Sequence, residues 1–99
     1  MENKEIEAKI EEVKSSGKPL EEWVDDLIIW EQSRGSNPLH VIYILRVAFG
    51  IKSLAICKGL TEMRCYEMKN GDGRNPKRVK EFYEEEKIRW ENYDAKRIS

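Results

Sequence analysis

The sequence predicts an all-α fold: a single compact bundle of about five helices around a central apolar helix at residues 39–49. Apolar residues recur at helical spacing, turn and capping residues separate the segments, and no stretch alternates as a strand does. The segment LHVIYILRVAFG is apolar on almost every side, which predicts a helix enclosed by others. At 99 residues the chain is expected to form one domain, residues 1–99, with one modest core.

The first two helices are indicated by an apolar stripe and by turn residues. Helix one is expected from about Asn3 to Ser15, because Ile6, Ile10 and Val13 share one narrow stripe. Gly17 suits the left-handed position that ends a helix, and Pro19 suits the first position of the next. Helix two has a broad predicted core face: Leu20, Trp23, Val24, Leu27, Ile28 and Trp30.

The remaining three helices are marked by capping pairs and glycines. Asn37-Pro38 is predicted to start helix three, and Gly50 to end it. Helix four is expected after Ser53, with Gly59 as a position where it could kink, and the turn NGDG follows it. Asn75-Pro76 repeats the start signal for helix five, which is expected to reach about Asp94 with these inward residues: Val79, Phe82, Tyr83, Trp90 and Tyr93.

Composition narrows the functional classes. The net charge of −1 gives no general reason to bind nucleic acid, and no apolar run approaches the ~20 residues of a membrane span. The N-terminus MENKEIEAKIEE lacks the apolar stretch of a secretory signal, so a cytoplasmic location is expected. Cys57 and Cys65 would lie about 12 Å apart on one helix, too far for a disulfide, so both are expected to be reduced.

No residue cluster indicates catalysis or metal binding. His40 is the only histidine; it shares a helical stripe with Tyr43 and Arg46, which we interpret as the solvent-facing edge of helix three, with Arg46 paired to an acid. Asn70, Asp72 and Glu81 have calcium-loop spacing, but a cation, Arg74, would occupy the fifth position. We therefore expect no enzyme activity, no cofactor, no metal and no small-molecule ligand.

Residues 41–60, VIYILRVAFGIKSLAICKGL, resemble the helix–Gly–helix core of the C-terminal domain of the bacterial ribosomal stalk protein. The matching positions are Arg46, Gly50, Ile51, Leu54, Cys57, Lys58 and Leu60, with one extra residue after Gly50. The resemblance implies the geometry of a helix pair. It covers about a fifth of the chain and does not imply factor binding.

The same helix–Gly–helix pattern supports an alternative function, a small DNA-binding regulator that uses residues 46–80. Gly50 would be the turn glycine of a helix-turn-helix and Ile56 the buried position of its second helix. The second helix would offer Arg64 as a further cation. The other expected DNA contacts are Lys58, Arg74, Lys77, Arg78 and Lys80.

The preferred hypothesis rests on apolar residues placed among carboxylates. Residues 1–45 hold five Lys or Arg against ten Asp or Glu, whereas residues 46–99 hold thirteen against nine. Ile29 and Ile88 each lie within an acidic arc of a helix, as an apolar anchor inside an acidic rim would. The predicted function is therefore a bacterial, immunity- or antitoxin-like inhibitor of a basic protein such as a nuclease toxin. Its partner-binding residues would be Glu22, Asp25, Asp26, Ile29, Glu81, Glu84, Glu85 and Ile88.

Overall fold

Five helices and no strand make up the described part of the chain. The computed structural model describes residues 3–35 and 37–98, with the side chains of residues 4–35 and 37–91. The all-α prediction is confirmed, and each predicted helix is present. The helices are α1 (Asn3–Ser16), α2 (Leu20–Arg34), α3 (Pro38–Phe49), α4 (Leu54–Lys69) and α5 (Pro76–Ile98).

Local capping explains why the central helices begin and end where they do. The side chain of Asn37 accepts a hydrogen bond from the Leu39 amide at 3.1 Å, and Ser53 accepts one from the Ile56 amide at 3.2 Å. Gly50 ends α3 with φ of 65°, a left-handed conformation that favours glycine. The predicted starts of α3 and α4 are thus confirmed, and α4 continues through Gly59 as one helix.

The outer helices differ slightly from their predicted bounds. Pro19 is the N-cap of α2, so the helix begins at Leu20, one residue later than predicted. The side chain of Asn75 accepts a hydrogen bond from the Arg78 amide at 3.1 Å, which confirms the predicted start of α5. Helix α5 continues to Ile98, beyond the predicted end at Asp94. The side chain of Tyr93 lies outside the described residues.

The core lies where α2, α3 and α4 pack against one another, with α1 packed on α3 and α5 packed on α2 and α4. Helix α3 packs against α1, α2 and α4, while α5 packs against α2 and α4 from another side. Ile44 and Leu45 of α3 are fully buried, as are Leu27 of α2, Leu60 of α4 and Val79 of α5. Helix α3 contacts three other helices, as α2 and α4 also do, and its fully buried Ile44 and Leu45 place it in the core as predicted.

The prediction that α3 is buried apart from the edge that holds His40, Tyr43 and Arg46 is wrong for Leu39 and Val47. Leu39, Tyr43 and Val47 are exposed, and so is Arg46 beside them. The cause is the position of α5, which packs on α2 and α4 and leaves this side of α3 uncovered. We call these four residues the outer face of α3.

Candidate functional site

Asp25 does not belong to an exposed acidic rim, which corrects the prediction made from its helical position. It is 2% exposed, and it accepts a bidentate pair of hydrogen bonds from Arg64 of α4, at 2.8 Å from Nε and 2.9 Å from Nη2. It also accepts a hydrogen bond from the Asn75 amide at 2.7 Å. Asp25 therefore stabilises the packing of α2 against α4 and the start of α5.

Arg64 is the centre of this buried network. Its side chain is fully buried, and three further acceptors complete its hydrogen bonding: Glu67 at 2.7 Å, Asp72 at 2.8 Å and the Gly73 carbonyl at 2.7 Å. With the two bonds to Asp25, these satisfy the five N–H donors of a guanidinium. Arg64 therefore cannot contact DNA, which contradicts the role that the helix-turn-helix interpretation gave it.

Sequence reasoning missed the role of Arg64, although the sequence contains a signal for it. Cys57, Leu60, Thr61 and Arg64 lie at i, i+3, i+4 and i+7, so one helical stripe holds all four, and all four are buried. A cation on an apolar stripe needs a buried acid as partner, because an unpaired buried charge is strongly unfavourable. The partner, Asp25, is 39 residues away in the chain, and only the fold identifies it.

Two of the cations predicted to contact DNA form ion pairs with acidic residues of the protein itself. Arg74 pairs with Asp26, at 2.6 Å from Nε to Oδ1, and Arg78 pairs with Glu67 at 3.0 Å. The other three cations of that set, Lys58, Lys77 and Lys80, are exposed. The predicted basic patch is therefore partly neutralised by the protein itself.

The predicted acidic site on α5 has the exposure that the prediction requires. Glu81, Glu84 and Glu85 are exposed, and Ile88 is 60% exposed. No ion pair involves these three carboxylates within the described part of the chain. We call Glu81, Glu84, Glu85 and Ile88 the acidic face of α5.

The predicted acidic site on α2 is smaller than the sequence indicated. Ile29 is 44% exposed, so its place on the surface is confirmed. Its two remaining acidic neighbours, Glu22 and Asp26, both lie near Arg74, at 3.8 Å and 2.6 Å. With Asp25 buried and these two carboxylates paired, α2 offers less free negative charge than the acidic face of α5.

His40 belongs to a polar cluster that joins α2 to α3. Its Nδ1 lies 3.0 Å from Oε2 of Glu31, which is only 3% exposed. Glu31 also accepts hydrogen bonds from Arg34 at 2.7 Å and from the Asn37 amide at 3.2 Å. A histidine paired with an acid can act as a general base that activates a nucleophile. The described residues that line the adjoining cavity, however, include no Ser, Thr or Cys. The cluster fixes the α2–α3 connection.

The surroundings of the two cysteines disfavour the thiolate form, whereas those of catalytic cysteines favour it. Burial raises the pKa of Cys57 to about 11, against a smaller lowering by the nearby Arg46, and burial also raises the pKa of Cys65. Reactive cysteines have lowered pKa values. No disulfide joins the two cysteines.

The described residues contain no cluster of three or more His, Cys, Asp or Glu placed to hold a metal ion. No helix in residues 3–35 and 37–98 has the length and apolar character needed to cross a membrane. On the outer face of α3, the exposure of Tyr43 and Arg46 was predicted, whereas that of Leu39 and Val47 was missed because apolar residues of this helix were interpreted as core.

Comparison with known proteins adds no relative. No protein family, no curated protein and no solved structure matches this chain. The likeness of residues 41–60 to the ribosomal stalk domain therefore rests only on the residues that suggested it.

Proposed function

We propose that this chain is a non-catalytic, protein-binding protein of the immunity or antitoxin type, acting in the cytoplasm of a bacterium against a basic partner such as a nuclease toxin. The observation that supports the proposal best is the acidic face of α5. There, three exposed carboxylates that form no ion pair within the described residues lie at i−7, i−4 and i−3 of an exposed isoleucine.

The acidic face of α5 would act in two ways. Glu81, Glu84 and Glu85 would attract a positively charged surface and raise the rate of association. Ile88 would lose its contact with water in the complex and slow dissociation, as apolar anchors at the centre of an interface do. Ile29 would be a secondary contact, since Arg74 already neutralises the acids beside it.

Co-expression with the product of the neighbouring gene tests the proposal. Growth is expected to stop when that product is expressed alone and to recover when this chain is present. With the purified pair, the triple variant Glu81→Lys, Glu84→Lys, Glu85→Lys is expected to slow association at least tenfold at low salt. A neighbouring product that is not toxic, or a toxicity that this chain leaves unchanged, would contradict the proposal.

A matched control separates the acidic face of α5 from overall charge. The variant Glu7→Lys, Glu11→Lys, Glu62→Lys makes the same change in net charge at three exposed positions on α1 and α4. It is expected to alter association by less than threefold. Ile88→Ala is expected to speed dissociation and to leave association nearly unchanged. Equal slowing by both triple variants would rule out α5 as the binding face.

The DNA-binding alternative makes a different prediction. Its remaining exposed cations are Lys58, Lys77 and Lys80, so the triple variant to Ala should abolish any shift of duplex DNA in a mobility assay. The proposed function predicts no shift at physiological salt to abolish. Sequence-selective retention of duplex by the parent protein would favour the regulator instead.

A further inference from the structure

Three large apolar side chains are exposed on the outer face of α3. Leu39 is 68% exposed, Tyr43 55% and Val47 41%, and they are spaced four residues apart, so they form one continuous stripe about 12 Å long. Single exposed apolar residues are ordinary, but a contiguous stripe on a folded protein marks an interaction surface. Leu54, at the start of α4, is also exposed.

The stretch of chain that holds this stripe carries cations and no acid. Between Glu31 and Glu62 the chain has no acidic residue, although it has 19 in total. Three cations of that stretch are exposed and form no ion pair among the described residues: Arg46, Lys52 and Lys58. The charge of Arg46 also lowers the pKa of Cys57 on α4, although burial raises that pKa by more.

We propose that the outer face of α3 binds an acidic amphipathic helix of a partner protein. Three apolar side chains at four-residue spacing match the apolar stripe of one helix laid along α3. Asp or Glu residues flanking the partner's stripe would meet Arg46, which is exposed beside Tyr43 and Val47 and forms no ion pair among the described residues.

This site is separate from the one in the proposed function. Helix α3 packs against α1, α2 and α4, whereas the acidic face of α5 belongs to a helix that packs on α2 and α4 from another side. The two faces also select partners of opposite charge. Variants on one face should therefore leave binding at the other unchanged, and the two proposals can fail independently.

Selection from a displayed library of 16-residue helical peptides tests this inference. The parent protein is expected to enrich peptides with apolar residues at three- or four-residue spacing flanked by Asp or Glu. The variant Leu39→Ser, Val47→Ser should bind the enriched peptides at least tenfold more weakly, and Arg46→Glu should weaken them with a reduced dependence on salt. The matched control is Ile88→Ser, which changes an equally exposed residue on α5 and should bind like the parent.

Other outcomes would overturn the inference. It fails if no peptides are enriched, if the enriched peptides are basic, or if the Leu39→Ser, Val47→Ser variant binds them like the parent. Co-sedimentation with phosphatidylserine vesicles that this variant abolishes would assign the face to a membrane surface. A dimer in analytical ultracentrifugation that the same variant dissociates would assign it to a second copy. Circular dichroism is expected to show the parent fold for every variant, since all the changed side chains are exposed.

Discussion

Arg64 illustrates how one buried charge can organise a small bundle. Its guanidinium joins α2 through Asp25, α4 through Glu67 and the α4–α5 connection through Asp72 and the Gly73 carbonyl. A buried charge of this kind is tolerated only when every donor has an acceptor, and here each has one. The network therefore sets the relative position of three elements, and its members are expected to be unequal in their effect on stability.

Replacing Asp25 by Ala should destabilise the fold strongly. The change leaves Arg64 buried without its bidentate partner, and breaking a buried pair in this way costs about 3–5 kcal/mol. The matched control is Asp26→Ala at the next position, whose partner Arg74 is largely exposed, and there the loss should be below about 1 kcal/mol. Urea denaturation measures both, and similar small losses for the two variants would show that the Asp25–Arg64 pair is not structurally important.

The same network predicts how stability depends on pH. Hydrogen bonds from Arg78 and Arg64 lower the pKa of Glu67, and a hydrogen bond from Arg64 lowers that of Asp72. Groups whose pKa is lowered by folding stabilise the protein above their unfolded pKa, near pH 4, and this stabilisation is lost as the pH falls through the folded value. The free energy of unfolding should therefore decline below about pH 5.

The variant Glu67→Gln, Asp72→Asn tests this pH dependence. Without the two titrating groups, the decline between about pH 5 and pH 2 should become shallower. Glu81→Gln, Glu84→Gln is the control, because these carboxylates are exposed and form no ion pair among the described residues. Parallel curves for the parent and the Glu67→Gln, Asp72→Asn variant would mean that other groups control acid unfolding.

At the scale of the helix, α3 combines a core face and an exposed face that composition alone does not distinguish. Leu45 is fully buried, whereas Val47, two positions later, is 41% exposed. Leu45→Ala should cost about 2–5 kcal/mol, since it leaves a cavity between packed helices. Val47→Ala should cost less than about 1 kcal/mol, because water already contacts the side chain. Denaturant melts measure both, and a loss below about 0.5 kcal/mol for Leu45→Ala would contradict the central position of α3.

Glycines within and at the ends of helices should respond oppositely to an added methyl group. Gly59 lies inside α4, and a Cβ there would meet the ring of Phe82 at 3.4 Å, an ordinary contact, so Gly59→Ala should raise stability by up to about 1 kcal/mol. Gly50 has φ of +65° and open space around it, so Gly50→Ala should lower stability by about 1–2 kcal/mol through the backbone alone. Thermal melts test both, and destabilisation by Gly59→Ala would mean that the added methyl group does not fit against Phe82.

The same comparison shows which features of the helices could be predicted. Asn37, Gly50 and Ser53 act on residues within a few positions of themselves, so the sequence predicts the bounds of α3 and α4 closely. Exposure depends on which helices pack together, and nothing local indicates that α5 leaves one side of α3 uncovered. The burial of Asp25 was mispredicted for the same reason, because its partner lies on another helix.

For the whole molecule, the packing predicts a single cooperative unfolding transition. Helix α5 contributes Val79 to the shared core, and the Arg64 network ties its start to α2 and α4. No helix can therefore leave without exposing core or breaking buried ion pairs. The expectation of one domain can be tested through this cooperativity, which small single domains generally show.

Tryptophan positions make that test possible. Trp23 and Trp30 lie on α2, and Trp90 lies on α5, so Trp90→Phe leaves a fluorescence signal that reports on α2. In urea, that signal and the far-ultraviolet circular dichroism of the whole bundle should give the same midpoint and the same slope. If helical signal were lost at lower urea than the fluorescence of α2, part of the bundle would unfold separately. Helices α1 and α5 are the elements to which such a result would point, because the loss of either one leaves the other four helices in contact with one another.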